Sequence, residues 1–185
     1  MNRKKIITFL IVVLIIVIGI LAFMKFFNKE EEAIPTEITP LEEITDEQER
    51  QTMISLYFVN SETKSLMPEV RRIDAKILLE NPYRELVELL VAGPKNEKLK
   101  TVIPEGTKVN KAVLKNNILE LDLSKEFVED QNGDIEAASL SVYSIVNTLT
   151  ELNEVNSVKI LIDDEENKKF KNCEFTLSNS FIRED

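Results

Sequence analysis

The feature that most constrains this chain is a long run of uncharged, apolar residues near the start of the sequence. From Ile6 to Met24 the sequence reads IITFLIVVLIIVIGILAFM, in which only Thr8 and Gly19 interrupt the apolar character. As a helix, this segment would span roughly 28 Å, close to the thickness of a bilayer's hydrocarbon core. A soluble helix keeps a polar face, which this segment lacks. The run therefore predicts one transmembrane helix over residues 6–24.

Secretion signals are the main alternatives to a retained anchor. A cleavable signal peptide has a shorter apolar region that ends in small residues, whereas residues 23–27 are bulky or charged. A lipoprotein signal needs a cysteine near the end of this segment, and the single cysteine is Cys173. Basic residues precede the run and Glu30, Glu31 and Glu32 follow it closely. Positive flanks favour the cytoplasmic side, so we expect residues 1–5 to form a cytoplasmic tail and the remainder to be extracytoplasmic.

The charge of the exported part restricts its partners. All 33 acidic residues follow Lys25, and only four of the 23 basic residues do not, so the exported part has a net charge of −14. Such a surface repels nucleic acid and anionic lipid headgroups. Residues 25–51 are rich in Glu and Thr, include two prolines and lack an apolar period, which predicts an acidic, extended linker.

A folded domain is predicted over residues 52–180. Strands are expected at residues 53–59, 66–73, 109–114, 118–123 and 158–162, with a weaker closing strand at 174–177. Asn81 and Pro82 begin a helix that Gly93 and Pro94 end, and Asp134 caps a second helix up to about residue 152. Pro68 indicates an edge strand, and Asn116-Asn117 fits a hairpin turn. We therefore predict an α+β, two-layer sandwich in which two helices cover one face of a mostly antiparallel sheet.

Several blocks in this order resemble the GerMN domain family. They are LYF at residues 56–58 with LMPEVRRI at 66–73, ELLVAGP at 88–94, IPEGTKV at 103–109 leading to ELDLSKEF at 120–127, and SIVNTLTELNEVNSVKILI at 144–162. The chain departs from the family's pattern in the turn after the last strand, where relatives often have a glycine and this chain has four acidic residues from Asp163 to Glu166.

The resemblance implies an exported, non-catalytic domain similar to the ring-building modules of cell-envelope assemblies, in a family tied to sporulation and germination. It also implies structural motif positions, which in this chain are Gly93, Pro94, Pro104, Gly106, Asn147, Thr148 and Leu149. Many relatives carry two such domains or a lipid anchor, so the sporulation role transfers less directly than the fold.

Residue types argue against catalysis. The sequence has no histidine, which removes the commonest general base and metal ligand. Cys173 therefore lacks an activating partner and is expected to be a packed structural residue. The cluster from Asp163 to Glu166 could bind calcium but lacks the spacing of a calcium loop, and is better explained as a solvated turn. Glu120 and Asp122 could suggest a glycosidase pair, but are better explained as the solvent face of a strand.

Other polar and aromatic positions leave alternatives open. Gly93-Pro94 and Gly106 could suggest a phosphate loop, although a helix stop and a turn explain them better. Asn147-Thr148 interrupts an apolar helix, so the two side chains face solvent, bind a buried backbone group or serve in recognition. Leu66-Met67 and Tyr57 could form an apolar partner surface, although a place in the core explains Tyr57 better.

Two functions are compatible with these sequence features. The first is a membrane-anchored, extracytoplasmic protein-interaction module, without cofactor, metal or nucleic-acid partner, that docks onto envelope proteins or onto copies of itself. The alternative is a sensor that binds cell-wall material or a small ligand between its helices and sheet.

Overall fold

The structure, a computed structural model, describes residues 17–18, 20–21, 23 and 51–184. The chain divides into two units, Met1–Ile44 and Thr45–Asp185, and the elements below belong to the second. The five described residues of the first unit are helical and apolar. Among the described residues, none belongs to a helix with both the length and the apolarity needed to cross a bilayer. Most of the predicted anchor, residues 6–24, lies outside the described part, as do residues 25–50 of the predicted linker. Gln51, the last residue of that linker, already belongs to the first strand.

The first sheet is built on β1 (Gln51–Asn60), whose sequence alternates between apolar and mixed positions. Ile54, Leu56 and Phe58 point into the core and are at most 9% exposed. β1 pairs antiparallel with β2 (Leu66–Asp74) on one side and with the short β3 (Leu99–Lys100) on the other. β2 is therefore an edge strand, which confirms the position that Pro68 predicts.

Between β2 and β3 lie a 3₁₀ turn (Ala75–Leu78) and the first helix, α1 (Pro82–Val91). The Asn81 side chain caps α1 by accepting a hydrogen bond from the Arg84 backbone N–H. Pro82 occupies the first turn, where backbone N–H groups have no partner within the helix, so its missing N–H costs no hydrogen bond. Leu86, Val87 and Leu90 bury the inner face. The helix start predicted from Asn81-Pro82 is confirmed.

The second sheet has the order β4 (Val109–Lys115), β5 (Ile118–Leu123), β6 (Ser157–Ile162) and β7 (Ser180–Phe181). β4 and β5 form the predicted hairpin, with Asn116 and Asn117 at φ of 50° and 62° in the left-handed region that such turns require. β5 and β6 are parallel, while the β4–β5 and β6–β7 pairs are antiparallel.

Between β5 and β6 the chain forms the short helix α2 (Glu126–Glu129) and the longer α3 (Ile135–Leu149). Asp134 caps α3 as predicted. The inward face of α3 is apolar, and five of its residues are fully buried: Ala138, Val142, Ile145, Val146 and Leu149. Helix α3 contacts strands of both sheets and helix α1, so it lies at the centre of the domain.

Two predictions about architecture are wrong. The α+β class is confirmed, but the strands form two sheets and the prediction was one. The first sheet contains β1, β2 and β3, whereas β5 pairs with β6, which is distant in the sequence. The closing strand predicted at residues 174–177 forms only an isolated bridge, Lys169 to Thr176. The strand that pairs with β6 comes later, at Ser180–Phe181, and ordered contacts continue to Glu184.

Candidate functional site

The acidic turn after β6 is held by contacts within the chain. Asp163 and Asp164 have φ of 49° and 62°, in the left-handed region that favours glycine. Glu165 pairs with Lys168 at 2.7 Å and Glu166 with Lys159 at 2.5 Å, so these carboxylates turn toward lysines. In the part of the chain that the structure describes, no group of three or more His, Cys, Asp or Glu residues is placed to hold a metal.

The two acidic residues of β5 have different environments. Glu120 is partly exposed and pairs with Lys115 at 2.7 Å, as the solvent face of a strand would suggest. Asp122 is only 4% exposed, so its predicted place on that solvent face is wrong. The turn after β6 covers it, and the Asp164 backbone N–H donates to Asp122 Oδ1 at 2.9 Å. Asp122 thus holds a turn, and it does not pair with Glu120.

A buried ion pair holds the segment that ends α1. Gly93 has φ of +88°, and its carbonyl accepts a hydrogen bond from the Arg71 guanidinium at 2.6 Å. Arg71 also pairs with Glu69 at 2.5 Å, and the Glu69 carboxylate accepts backbone N–H groups of Lys95 and Asn96 just after Pro94. Although burial alone would raise the pKa of the Glu69 carboxyl, the hydrogen bonds from Asn96, Lys95 and Arg71 hold it below its ordinary value.

The IPEGT segment forms a turn. The Thr107 backbone N–H donates to the Pro104 carbonyl at 3.0 Å, which closes the turn around Gly106. A Cβ at Gly106 would lie 3.3 Å from the Glu126 side chain, so a residue without a side chain fits against α2. Gly93 and Gly106 therefore serve the local fold, Gly93 at the end of α1 and Gly106 in the turn against α2.

Asn147 and Thr148 are buried on α3 and bind backbone groups. Thr148 Oγ1 accepts a hydrogen bond from the Tyr57 N–H at 3.0 Å, and Ser144 Oγ, one turn earlier, donates to the Tyr57 carbonyl at 2.6 Å. The backbone N–H and carbonyl of Tyr57 therefore point away from β2. The residue opposite Tyr57 on β2 is Pro68, which has no N–H to donate. Two helix hydroxyls thus take the place of a neighbouring strand along this part of β1. Leu149 next to them is fully buried in the core.

Asn147 holds a different segment. Its side-chain Nδ2 donates to the Glu184 carbonyl at 2.9 Å and its Oδ1 accepts the Glu184 N–H at 3.1 Å. Residues 180–184, which we call the strap, begin as β7 and continue across α3 toward β1. The strap lies in a cleft formed by Tyr57, Asn147 and Glu151, which we call the α3 cleft.

Arg183 of the strap makes the charged contacts of this cleft. Its guanidinium pairs with Glu151 at 2.6 Å, lies 5.0 Å from the centre of the Tyr57 ring and hydrogen-bonds the Tyr57 hydroxyl. Tyr57 also donates to Glu151 at 2.8 Å. Burial and the hydrogen bond to Glu151 raise the pKa of Tyr57. Burial would raise the pKa of Glu151, but the hydrogen bonds from Arg183 and Tyr57 outweigh it and lower that pKa.

The α3 cleft is open beyond the strap. A cavity of about 380 Å³ is lined by Tyr57, Ser65, Leu66, Leu140 and Asn147, together with the strap residues Arg183 and Glu184. The prediction that Tyr57 lies in the core is therefore wrong, because its ring forms a wall of this cleft. Sequence reasoning singled out Asn147 and Thr148 but missed Ser144, Glu151 and Arg183. The only signal for Ser144 was its spacing of four residues from Thr148, which places both hydroxyls on one helix face.

Cys173 is half-buried, carries a free thiol and packs against the hydrophobic core. Its position agrees with the structural role expected from the sequence. With no histidine anywhere in the chain, none can lie near it.

Comparisons with known proteins identify the fold. The first GerMN domain of the sporulation protein GerM from Bacillus subtilis aligns with 72% of this chain and 99% of that structure, with a TM-score of 0.61 and 24% identity. The tandem GerMN domains of the same protein align with 74% of this chain, with a TM-score of 0.57 and 23% identity. This chain covers 47% of the tandem structure, about half its length. At these identities the structures show the fold alone.

No curated protein matches this chain. A family model described as "Germane: Sporulation and spore germination" matches residues 55–168, which is more than half of the sequence. The resemblance to the GerMN family is thereby confirmed. The chain belongs to the Germane family of sporulation and spore germination domains.

Proposed function

We propose that this protein is a membrane-anchored interaction module that presents a Germane domain on the extracytoplasmic side of a membrane, where it docks onto envelope proteins. The uncharged run from residue 6 to 24 would be the anchor, and the acidic segment that follows would hold the domain away from the lipid. Membership of the Germane family supports a role in sporulation or germination.

The observation that carries the docking role is an exposed apolar pair on the outer face of the first sheet. Met53 is 70% exposed and Val70 is 62% exposed. Met53 lies opposite Arg72, and Val70 lies opposite Ser55, so the two apolar side chains are diagonal neighbours on adjacent strands. Such neighbours are about 7–8 Å apart, which makes one continuous patch. Larger contiguous apolar patches mark protein-binding surfaces, and this pair supports docking as the apolar part of such a surface.

No catalytic step is part of this proposal. In residues 51–184 the polar side chains that lie deepest, such as Asp122, Ser144, Asn147 and Thr148, bind backbone groups of this domain. Their hydrogen-bonding capacity is used to fix the fold, which supports a scaffold over an enzyme. The alternative, a small-ligand sensor, is favoured by the open cavity next to α3 between the helix and the first sheet.

Charge gives a way to separate two kinds of partner. The part of the chain after Lys25 has a net charge of −14, so two copies repel one another at low ionic strength. Self-association would therefore strengthen as salt rises, whereas binding to a basic partner would weaken.

Site-specific photo-crosslinking in intact cells tests the docking role. A photo-reactive residue at Val70 is expected to capture an envelope protein, or a second copy, identified by mass spectrometry in sporulating and vegetative cultures. The matched control is Ile118, an apolar strand residue of the second sheet that is 39% exposed. Capture at Val70 without capture at Ile118 supports the proposal, and the absence of any product at Val70 in both cultures contradicts it.

A further inference from the structure

The strap is bound by contacts of the kind that recognise an extended peptide. Its first residues extend the second sheet, with Phe181 opposite Val158 and Ser180 opposite Lys159. At its other end, the Asn147 amide binds both backbone groups of Glu184. Pairing with a strand and binding by a side-chain amide both use the backbone of the bound segment. They therefore select for its conformation and accept almost any side chain. The edge of β6 and the α3 cleft together therefore select for an extended backbone.

Arg183 supplies the side-chain specificity. The Glu151 carboxylate and the face of the Tyr57 ring each contact its guanidinium, a combination suited to the planar, charged group of arginine, and the Arg183 side chain stays 39% exposed. The neighbouring Ile182 is 69% exposed and makes little contact. Phe181, two residues before Arg183, packs its ring on Phe175 and Tyr143. The side-chain pattern that the strap presents is thus an aromatic residue followed two positions later by an arginine, in an extended backbone.

The strap can leave at the cost of one apolar contact, that of the Phe181 ring with Phe175 and Tyr143 at the margin of the core. Leu177 is 2% exposed and its backbone N–H donates to the Lys168 carbonyl at 2.7 Å, which fixes the chain just before the strap. Ser178 and Asn179 are exposed and lie outside regular structure, so they can act as the hinge. The cavity of about 380 Å³ next to Arg183 also shows that the strap fills only part of the cleft.

We propose that the α3 cleft is a binding site for an extended, arginine-bearing segment of a partner protein, and that the strap occupies it within the same chain as a competitor. A basic segment suits an exported part that carries net negative charge. The inference rests on the proposed interaction function and names the chemistry of the partner. Because the strap is tethered, its effective concentration at the cleft is on the order of millimolar, so a partner must make additional contacts in the open cavity to displace it.

The test measures binding of a fluorescent peptide with the sequence SNSFIRE, residues 178–184, by anisotropy. The proteins are the full chain in detergent micelles and two released forms, one shortened to end at Asn179 and one carrying Arg183→Ala. We expect the released forms to bind the peptide at least about tenfold more tightly than the full chain, since they lack the tethered competitor. A peptide in which the arginine is replaced by alanine should bind at least about tenfold more weakly.

Glu151→Gln in a released form provides the specificity control, because it removes the charge that faces Arg183 and keeps the shape of the side chain. It should lower peptide binding about tenfold, whereas Glu154→Gln, an exposed neighbour, should leave it unchanged. Each protein is checked for a cooperative melt, and Arg183→Ala serves if the shortened chain does not fold.

Failure to bind by a folded released form, or equal binding by the Glu151→Gln variant, would overturn the inference. Photo-crosslinking at Val70 is independent of the cleft. A partner captured there without peptide binding would leave the proposed function intact and remove only this site.

Discussion

Replacing Thr148 by valine tests whether α3 hydroxyls hold β1 as a strand would. Thr148 is fully buried and its Oγ1 accepts the Tyr57 N–H at 3.0 Å. Valine has nearly the same shape, so Thr148→Val leaves no cavity and removes only the acceptor. Pro68 lies opposite Tyr57 on β2, and the N–H of Tyr57 points away from it, so no other strand takes over the bond.

The expected loss follows from that geometry. A buried N–H left without a partner costs about 1–3 kcal/mol, so we expect Thr148→Val to lower the free energy of unfolding by about 2 kcal/mol. In a domain of this size, each kcal/mol corresponds to roughly 3–5 °C in Tm, which gives a fall of about 6–10 °C. Adding Ser144→Ala removes the donor to the Tyr57 carbonyl and should lower stability by about a further 1 kcal/mol.

The assay is urea and thermal unfolding of the full chain in detergent, followed by far-ultraviolet circular dichroism. Hydrogen exchange of peptides that contain Tyr57 adds a local measurement, since its amide should lose protection in the variant. Thr150→Val is the matched control. The Thr150 hydroxyl donates to the Val146 carbonyl at 2.8 Å, but the Thr150 backbone N–H also donates there, so that carbonyl keeps a partner.

We expect Thr150→Val to change stability by less than about 0.5 kcal/mol. If Thr148→Val is equally mild, or if both variants lower stability alike, the helix hydroxyl does not serve as a strand partner and the reasoning fails.

Further substitutions test the turns and the buried acidic residues. Gly93→Ala should lower the free energy of unfolding by about 1–2 kcal/mol in urea melts, because its φ of +88° strains any side chain, whereas Gly106→Ala, which must displace only the flexible Glu126 side chain, should cost less. Asp122→Ala should lower it by about 1–3 kcal/mol by freeing a backbone N–H, and Glu120→Ala, at the exposed position, by less than about 1 kcal/mol. The lowered pKa of Glu69 stabilises the fold at pH values above 4.5, the ordinary value, and this contribution is lost as pH falls through the folded-state pKa; Glu69→Gln should therefore flatten the acid limb of a stability-against-pH curve, and an unchanged limb would contradict it.

Local patterns predicted the elements well. Alternation of Leu119, Leu121 and Leu123 defined β5, and Asn116-Asn117 located its turn because asparagine tolerates left-handed backbone angles. Asn81-Pro82 marked the start of α1. In each case the residues that decide the structure lie within a few positions of one another, so a single stretch of sequence contains the whole signal.

Local sequence patterns did not predict the pairing between distant segments. The division into two sheets depends on β6 joining β5 in parallel across the intervening helices, which no local pattern records. Asp122 was predicted to face solvent because its strand alternates, yet the turn that contains Asp164, 42 residues later, covers it. The strap was not predicted for the same reason. Arg183 binds Tyr57 and Glu151, which lie far from it in the sequence and come together only in the fold.

The pairing of β1 with two unlike neighbours has a mechanical consequence. Any tension that reaches the domain through the residues before Gln51 enters at the start of β1. There the strand is joined to β2 along nine paired positions and to α3 through both backbone groups of Tyr57. Pulling β1 along its length would have to shear these bonds together rather than unzip them one at a time. A domain tethered through this strand is therefore built to resist extension at the point where its tether attaches.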